Sequence, residues 1–89
     1  MKRYALGAVG FGLVREDGRL ERCVERFDVL GHERVYLLRL ARHEQPLPDG
    51  LSLIGQESGG GYRAITHSEV RWEDFDYYEA RRQGRGDSS

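Results

Sequence analysis

The 89-residue chain has one cysteine, two prolines, one methionine and one lysine. Each shortage excludes something. With Cys23 alone, no internal disulfide and no Cys-x-x-Cys metal or redox motif can exist, so nothing calls for an oxidising compartment and a cytoplasmic protein is expected. No apolar run approaches the roughly 20 residues that a membrane-spanning helix needs, so no membrane partner is expected. The apolar stretch from Tyr4 to Val14 follows Met1-Lys2-Arg3 in the manner of a signal peptide. Gly7, Gly10 and Gly12 interrupt it, however, and no small-x-small cleavage site precedes Arg15-Glu16-Asp17. The near-absence of lysine leaves thirteen arginines to carry the basic charge, a bias that fits a GC-rich coding sequence better than phosphate recognition. At a net charge of −1 the chain also lacks the general attraction on which non-specific nucleic-acid binding rests, so direct nucleic-acid contact is the lesser reading.

What is present describes a single small domain: 38% hydrophobic and 33% charged residues, enough for one modest core. The expected organisation is one α+β domain over residues 1–82, an antiparallel sheet of about 4–5 strands with a C-terminal helix, followed by a disordered polar tail over residues 83–89. Tyr4 to Val14 reads as a central strand that runs into an Asp17-Gly18 turn. Residues 20–30 are ambiguous. Leu20, Cys23, Val24, Phe27 and Leu30 have helical spacing with Gly31 as a C-terminal stop, whereas the preceding turn argues for a strand. Residues 34–42 favour a buried strand by their branched and aromatic content, although leucine-rich runs can also be helical. Gln45-Pro46-Leu47-Pro48-Asp49-Gly50 is a loop. Residues 51–56 and 62–66 form a hairpin around Glu57-Ser58-Gly59-Gly60-Gly61. Thr66-His67-Ser68-Glu69 matches a capping box and predicts a helix over residues 67–82.

Motifs with catalytic chemistry are weak. Gln56-Glu57-Ser58-Gly59-Gly60 superficially resembles the nucleophile segment of chymotrypsin-like serine proteases, but the leading glycine and aspartate are replaced and 89 residues cannot build the two barrels of that fold. The glycines have no P-loop lysine, and Gly7, Gly10 and Gly12 lack dinucleotide-binding spacing. His32, His43 and His67 form no i, i+4 pair and have no cysteine at zinc-finger spacing. Arg85-Gly86-Asp87 is a chance tripeptide. No catalytic residue, cofactor or metal ligand is therefore assigned, and the protein is not expected to be an enzyme.

Charge is unevenly spread: residues 1–45 carry +2, residues 46–80 carry −5, and residues 81–89 carry +2. The acidity concentrates in residues 69–79, where five acids and one arginine are interleaved with four aromatic rings. As a helix, this segment puts Val70, Tyr77 and Tyr78 on one side with Phe75 and Trp72 falling round the back, so no single face holds all the rings. Two readings follow. In one, Trp72, Phe75 and Tyr78 pack the helix on the sheet and the acids pair with Arg71, Arg81 and Arg82. In the other, Trp72, Glu73, Asp74, Phe75, Asp76, Tyr77, Tyr78 and Glu79 form a protein-binding site. Exposed rings would supply the hot spot and the acids would steer it toward a basic surface of a larger protein, such as one that binds nucleic acid. The expected function is then a small regulator or inhibitor acting by contact. A homodimer would bury the same rings. The alternatives are a nucleic-acid binder using Arg22, Arg26 and Arg39 with Tyr36 and Tyr62 as stacking platforms on the sheet, and a small or metal-binding subunit of an enzyme.

Overall fold

The computed structural model describes residues 3–27 and 31–88, with side chains through residue 82. It is an α+β fold: a four-stranded antiparallel sheet and two helices, one of them C-terminal. The strands are β1 (Val9–Val14), β2 (Leu20–Glu25), β3 (Leu51–Gln56) and β4 (Tyr62–Ala64), and the helices are α1 (His32–Arg42) and α2 (Trp72–Ser88). The sheet order is β2-β1-β3-β4, which makes β1 central, as its apolar character on both faces requires.

Both hairpins close in the same way. Arg15 N–H donates to Arg19 O (2.8 Å) and Gly18 N–H to Arg15 O (2.9 Å), while Glu57 N–H donates to Gly61 O (2.8 Å) and Gly60 N–H to Glu57 O (2.9 Å). Gly18 (φ 85°) and Gly60 (φ 92°) occupy the left-handed position each turn needs. The glycines of β1 serve close packing instead. A Cβ on Gly10 would lie 2.3 Å from the Phe27 ring, and one on Gly12 would lie 2.6 Å from the Arg22 carbonyl. Phe27 in turn stacks on Tyr62 with ring centroids 5.1 Å apart, so the second face of the sheet carries its own small apolar cover over buried Ile54. The main core lies on the other face, where Val9, Phe11 and Leu53 meet Val35, Leu37, Leu38 and Ala41 of α1 and Trp72 and Phe75 of α2.

The strand expected at residues 34–42 is a helix, α1. Arg34, Leu37, Leu38 and Ala41, all buried, have i, i+3, i+4, i+7 spacing, and Val35 widens that stripe toward the sheet. The branched and aromatic content of Val35 and Tyr36 is overridden by this period and by the helix-favouring Leu, Arg and Ala around it. Gly31 is accordingly the N-cap of α1 (φ −91°, ψ 175°) rather than the stop of a preceding helix. Glu33 in the first turn and Arg39 and Arg42 in the last complement the helix dipole. The ambiguity at residues 20–30 resolves to a strand over Leu20–Glu25; Leu30 lies outside the described residues.

The long strand expected from Tyr4 breaks into three parts: an isolated parallel bridge from Tyr4 to Val70, a 3-10 turn at Leu6–Ala8, and β1. The same bridge explains why α2 begins later than the capping box implies. Thr66 N–H does donate to Glu69 Oε1 (2.9 Å), but the box closes only the 3-10 turn His67–Glu69. Glu69 O then accepts from Tyr4 N–H (2.7 Å) and Arg71 N–H donates to Tyr4 O (2.9 Å), which holds this backbone extended until Trp72. The backbone of α2 runs on through residues 83–88, the segment expected as a tail; the side chains there and Ser89 lie outside the described residues.

Arg34 is 1% exposed, and its guanidinium ties three pieces of backbone together. Nη2 donates to Leu6 O (2.9 Å) and Val9 O (2.5 Å), and Nη1 donates to Arg26 O. One side chain of α1 thus fixes the start of β1 and the exit of β2.

Candidate functional site

The structure divides the eight residues expected to form a binding site. Trp72 (7% exposed) and Phe75 are core, edge to face at 6.0 Å. Trp72 Nε1 donates to His67 O (2.8 Å), its ring stacks on His67 at 5.3 Å, and the Arg42 guanidinium lies 5.9 Å from it. Tyr78 follows them inward, stacked on Phe75 at 6.4 Å. Tyr77 points the other way and is 64% exposed. The two tyrosines therefore do not share a side, and Val70 precedes the helix. The buried stripe is Trp72, Phe75 and half-buried Glu79, at i, i+3 and i+7. The outer stripe is Glu73, Asp76, Tyr77, Ala80 and Arg81, all exposed.

The acids are engaged within the chain, and mostly not by the arginines nearest in sequence. Arg3 grips Glu73 through Nη1 to Oε1 (3.1 Å) and Nη2 to Oε2 (2.6 Å). Arg39 grips Glu79 through Nε to Oε1 (2.5 Å) and Nη2 to Oε2 (3.1 Å). Arg42 holds Asp76 with two bonds of 3.2 Å. Asp74 accepts from Leu6 N–H at 3.4 Å and has Arg71 at 3.6 Å, while Arg63 pairs with Glu69. Arg81 donates to the Tyr77 hydroxyl (3.0 Å) with its guanidinium 5.7 Å from that ring, and Arg82 lies 5.9 Å from the ring of Tyr78.

These contacts set the protonation of the segment. The Thr66 N–H and then Arg63 hold the Glu69 carboxyl below the usual range. Glu73 is lowered by its own backbone N–H and by Arg3, and Glu79 by Arg39. Tyr4 is raised, because its hydroxyl donates to Glu57 Oε2 (2.5 Å) and its ring is buried. Arg63 Nε donates to the same hydroxyl at 3.0 Å, so Tyr4, Glu57, Arg63 and Glu69 form one chain of polar contacts behind the Tyr4–Val70 bridge.

The residues of the nucleic-acid alternative are split as well. Arg22 and Tyr36 line a groove of about 370 Å³ on the helix side of the sheet, and Tyr36 stands on α1 rather than on a strand. Arg26 and Tyr62 line a different pocket, and Arg39 is occupied by Glu79. Among the described residues no group of three or more His, Cys, Asp or Glu side chains comes together as a metal ion would require, and no helix is long and apolar enough to cross a membrane.

The sequence reading names Arg22 and Tyr36 for nucleic-acid contact and gives Val24 no binding role; the structure brings the three to one groove between β2 and α1. Val24 (46% exposed) and Tyr36 (55%) share the helix-side groove, and Arg22 borders it. The signal available in the sequence was the alternation of charge along β2, which acquires meaning only with a known register. Comparison with family models, with curated proteins and with solved structures finds no match to the chain.

Proposed function

We propose that this chain is a small, non-enzymatic, cytoplasmic interaction module that regulates or inhibits a larger protein by direct contact, using the outer face of α2 against a basic surface. The observation that carries this reading is the exposure of Tyr77 on one stripe with the carboxylates of Glu73 and Asp76. A solvent-facing tyrosine offers a large rigid contact area at low entropic cost, with a hydroxyl to pair at its rim. The Glu73 and Asp76 forks are exposed on both partners. Such pairs are worth little in water, so a basic partner can replace Arg3 or Arg42 at small cost. The contact area is narrower than the sequence suggested, since Trp72 and Phe75 belong to the core.

Affinity capture from the native host's lysate tests the reading, with wild type compared against Tyr77→Ala and Asp76→Arg. Trp72 is left intact because it belongs to the core and its removal would destabilise the probe. One protein enriched on wild type and lost from both variants is the expected result. Capture that neither variant alters would sink the reading.

A further inference from the structure

The strand registers sort the side chains of the sheet by face, because residues paired across neighbouring strands lie on the same side. Arg22, Glu25 and Arg63 are paired with Leu13, Phe11 and Gly55, all on the helix side. On the other face, Gly12 is paired with Cys23 and Ser52, and Gly10 with Ile54. Val14 is paired there with Leu20, and Gln56 with Tyr62. None of these residues is charged, in a chain of which 33% is. Both helices pack on the opposite side, so this face lacks both a helical cover and the charge expected of a surface that meets only water.

We infer that this face holds a small-molecule site for a planar aromatic ring carrying an anionic group. A pocket of about 520 Å³ opens here, lined by Gly7, Cys23, Arg26, Phe27, Gln56 and Tyr62, and its size suits such a ligand. One wall is the Phe27–Tyr62 pair, with ring planes only 18° apart. Phe27 is held in place by the sheet, since its ring fills the space that a Cβ on Gly10 would need, and Tyr62 remains 42% exposed. A third ring laid on this pair extends a stack that is already formed. Arg26 is the only charged side chain at the pocket, and no carboxylate lines it although the chain has fifteen. Arg26 has no ion-pair partner among the described residues. Its own carbonyl is anchored by Arg34, so the root of the side chain is fixed while its guanidinium is available. That fork matches a carboxylate or phosphate, and the Gln56 amide offers a donor and an acceptor to the edge of the ring.

The chemistry excludes other occupants. A cation is repelled by Arg26, and a purely apolar molecule leaves that guanidinium unused. A nucleic-acid strand presents rings and phosphates together, but one guanidinium answers one phosphate, and binding along a strand needs several. Nucleoside monophosphates and aromatic carboxylates are the two sources of a single ring with a single anionic group. No residue of the outer α2 stripe lines the pocket, so this site and the proposed regulatory contact stand or fall separately.

Amide NMR titration tests the inference, with AMP, GMP, CMP and UMP on one arm and 4-hydroxybenzoate and indole-3-acetate on the other. At least one probe should shift the amides of Gly7, Cys23, Gln56 and Tyr62 with a Kd between about 10 µM and 1 mM, and the arm that responds identifies the source. Its uncharged counterpart, adenosine for AMP or 4-hydroxybenzamide for 4-hydroxybenzoate, should bind about tenfold more weakly. Arg26→Gln should cost the charged probe that same factor and leave the uncharged one unchanged. Tyr62→Ala should weaken both by about fivefold or more. A Cβ on Gly7 meets nothing within 4 Å and its backbone is not left-handed, so Gly7→Leu should keep the fold, as the same spectra check, and obstruct the pocket. Cys23 is the one cysteine and is exposed, so bound ligand should also slow its alkylation by iodoacetamide. The inference is overturned if no probe of either arm shifts these amides up to about 10 mM, or if Arg26→Gln or a folded Gly7→Leu binds the charged probe undiminished. Octauridylate that binds about a hundredfold more tightly than UMP would replace the small molecule with a strand.

Discussion

α2 and β2 are the two most highly charged elements on the surface, and they treat their charges in opposite ways. Every acid in residues 69–79 is met within the chain, by Arg63, Arg3, Arg71, Arg42 and Arg39 in turn. The four charges of residues 21–26 have no ion-pair partner among the described residues. A high density of charge is therefore a poor guide to where a surface awaits a partner. What matters is whether the fold has already answered that charge, and here the louder segment is answered while the quieter one is open.

The largest effect should separate the two aromatic faces of α2. Trp72→Ala removes a core ring together with its bond to His67 O and should cost about 3–5 kcal/mol by urea melt, whereas Tyr77→Ala should stay within about 0.5 kcal/mol of wild type. Equal losses from both would remove the distinction between buried and outer stripes. Next, Arg34→Met leaves three backbone carbonyls without their charged donor and should cost about 2–4 kcal/mol. By hydrogen exchange, protection should fall first near residues 6–9 and 26, at the roots of β1 and β2.

The difference should also be visible in acid. Glu69, Glu73 and Glu79 all have folded values below the usual carboxylate range. Their stabilisation is complete above the unfolded value of about 4.3 and is lost as pH falls through the folded values. The melting temperature should be flat from neutrality to about pH 5 and drop below it, more gently in Glu69→Gln and Glu79→Gln. Smallest of all, Glu79→Gln at pH 7 should cost about 0.5–1 kcal/mol through the Arg39 fork, while Glu25→Gln in dilute solution should change stability by less than about 0.5 kcal/mol. A larger loss in Glu25→Gln would mean that β2 carries an internal partner after all.

Much of the fold could be read from the chain because its signals are local. Asp17-Gly18 and the Gly59-Gly60-Gly61 run announce turns through backbone conformations that few other residues adopt, and the strands beside them follow. Thr66 and Glu69 announce a cap for the same reason. α1 is hidden from a local reading because Val35 and Tyr36 have strand propensity, and only the sheet behind them selects the helical stripe of Arg34, Leu37, Leu38 and Ala41. The candidate site was hardest to read. Whether Glu73 is free depends on Arg3, which lies seventy residues away in sequence, and no window along the chain contains both. Trp72 and Tyr77 look alike in composition and part company only once the direction of α2 over the sheet is set.

The bridge between Tyr4 and Val70 also bears on the order of events in folding. Each hairpin can close on its own within a short loop, but the Tyr4–Val70 contact and the Arg3–Glu73 fork beside it close a loop of most of the chain, so their entropic cost is recovered only after the intervening sheet and α1 have shortened the span. The segment before β1 and the start of α2 should dock together late and detach together early, as one cooperative unit. In unfolding kinetics, this seam would then be the first part of the molecule to open, with the four-stranded sheet still standing behind it.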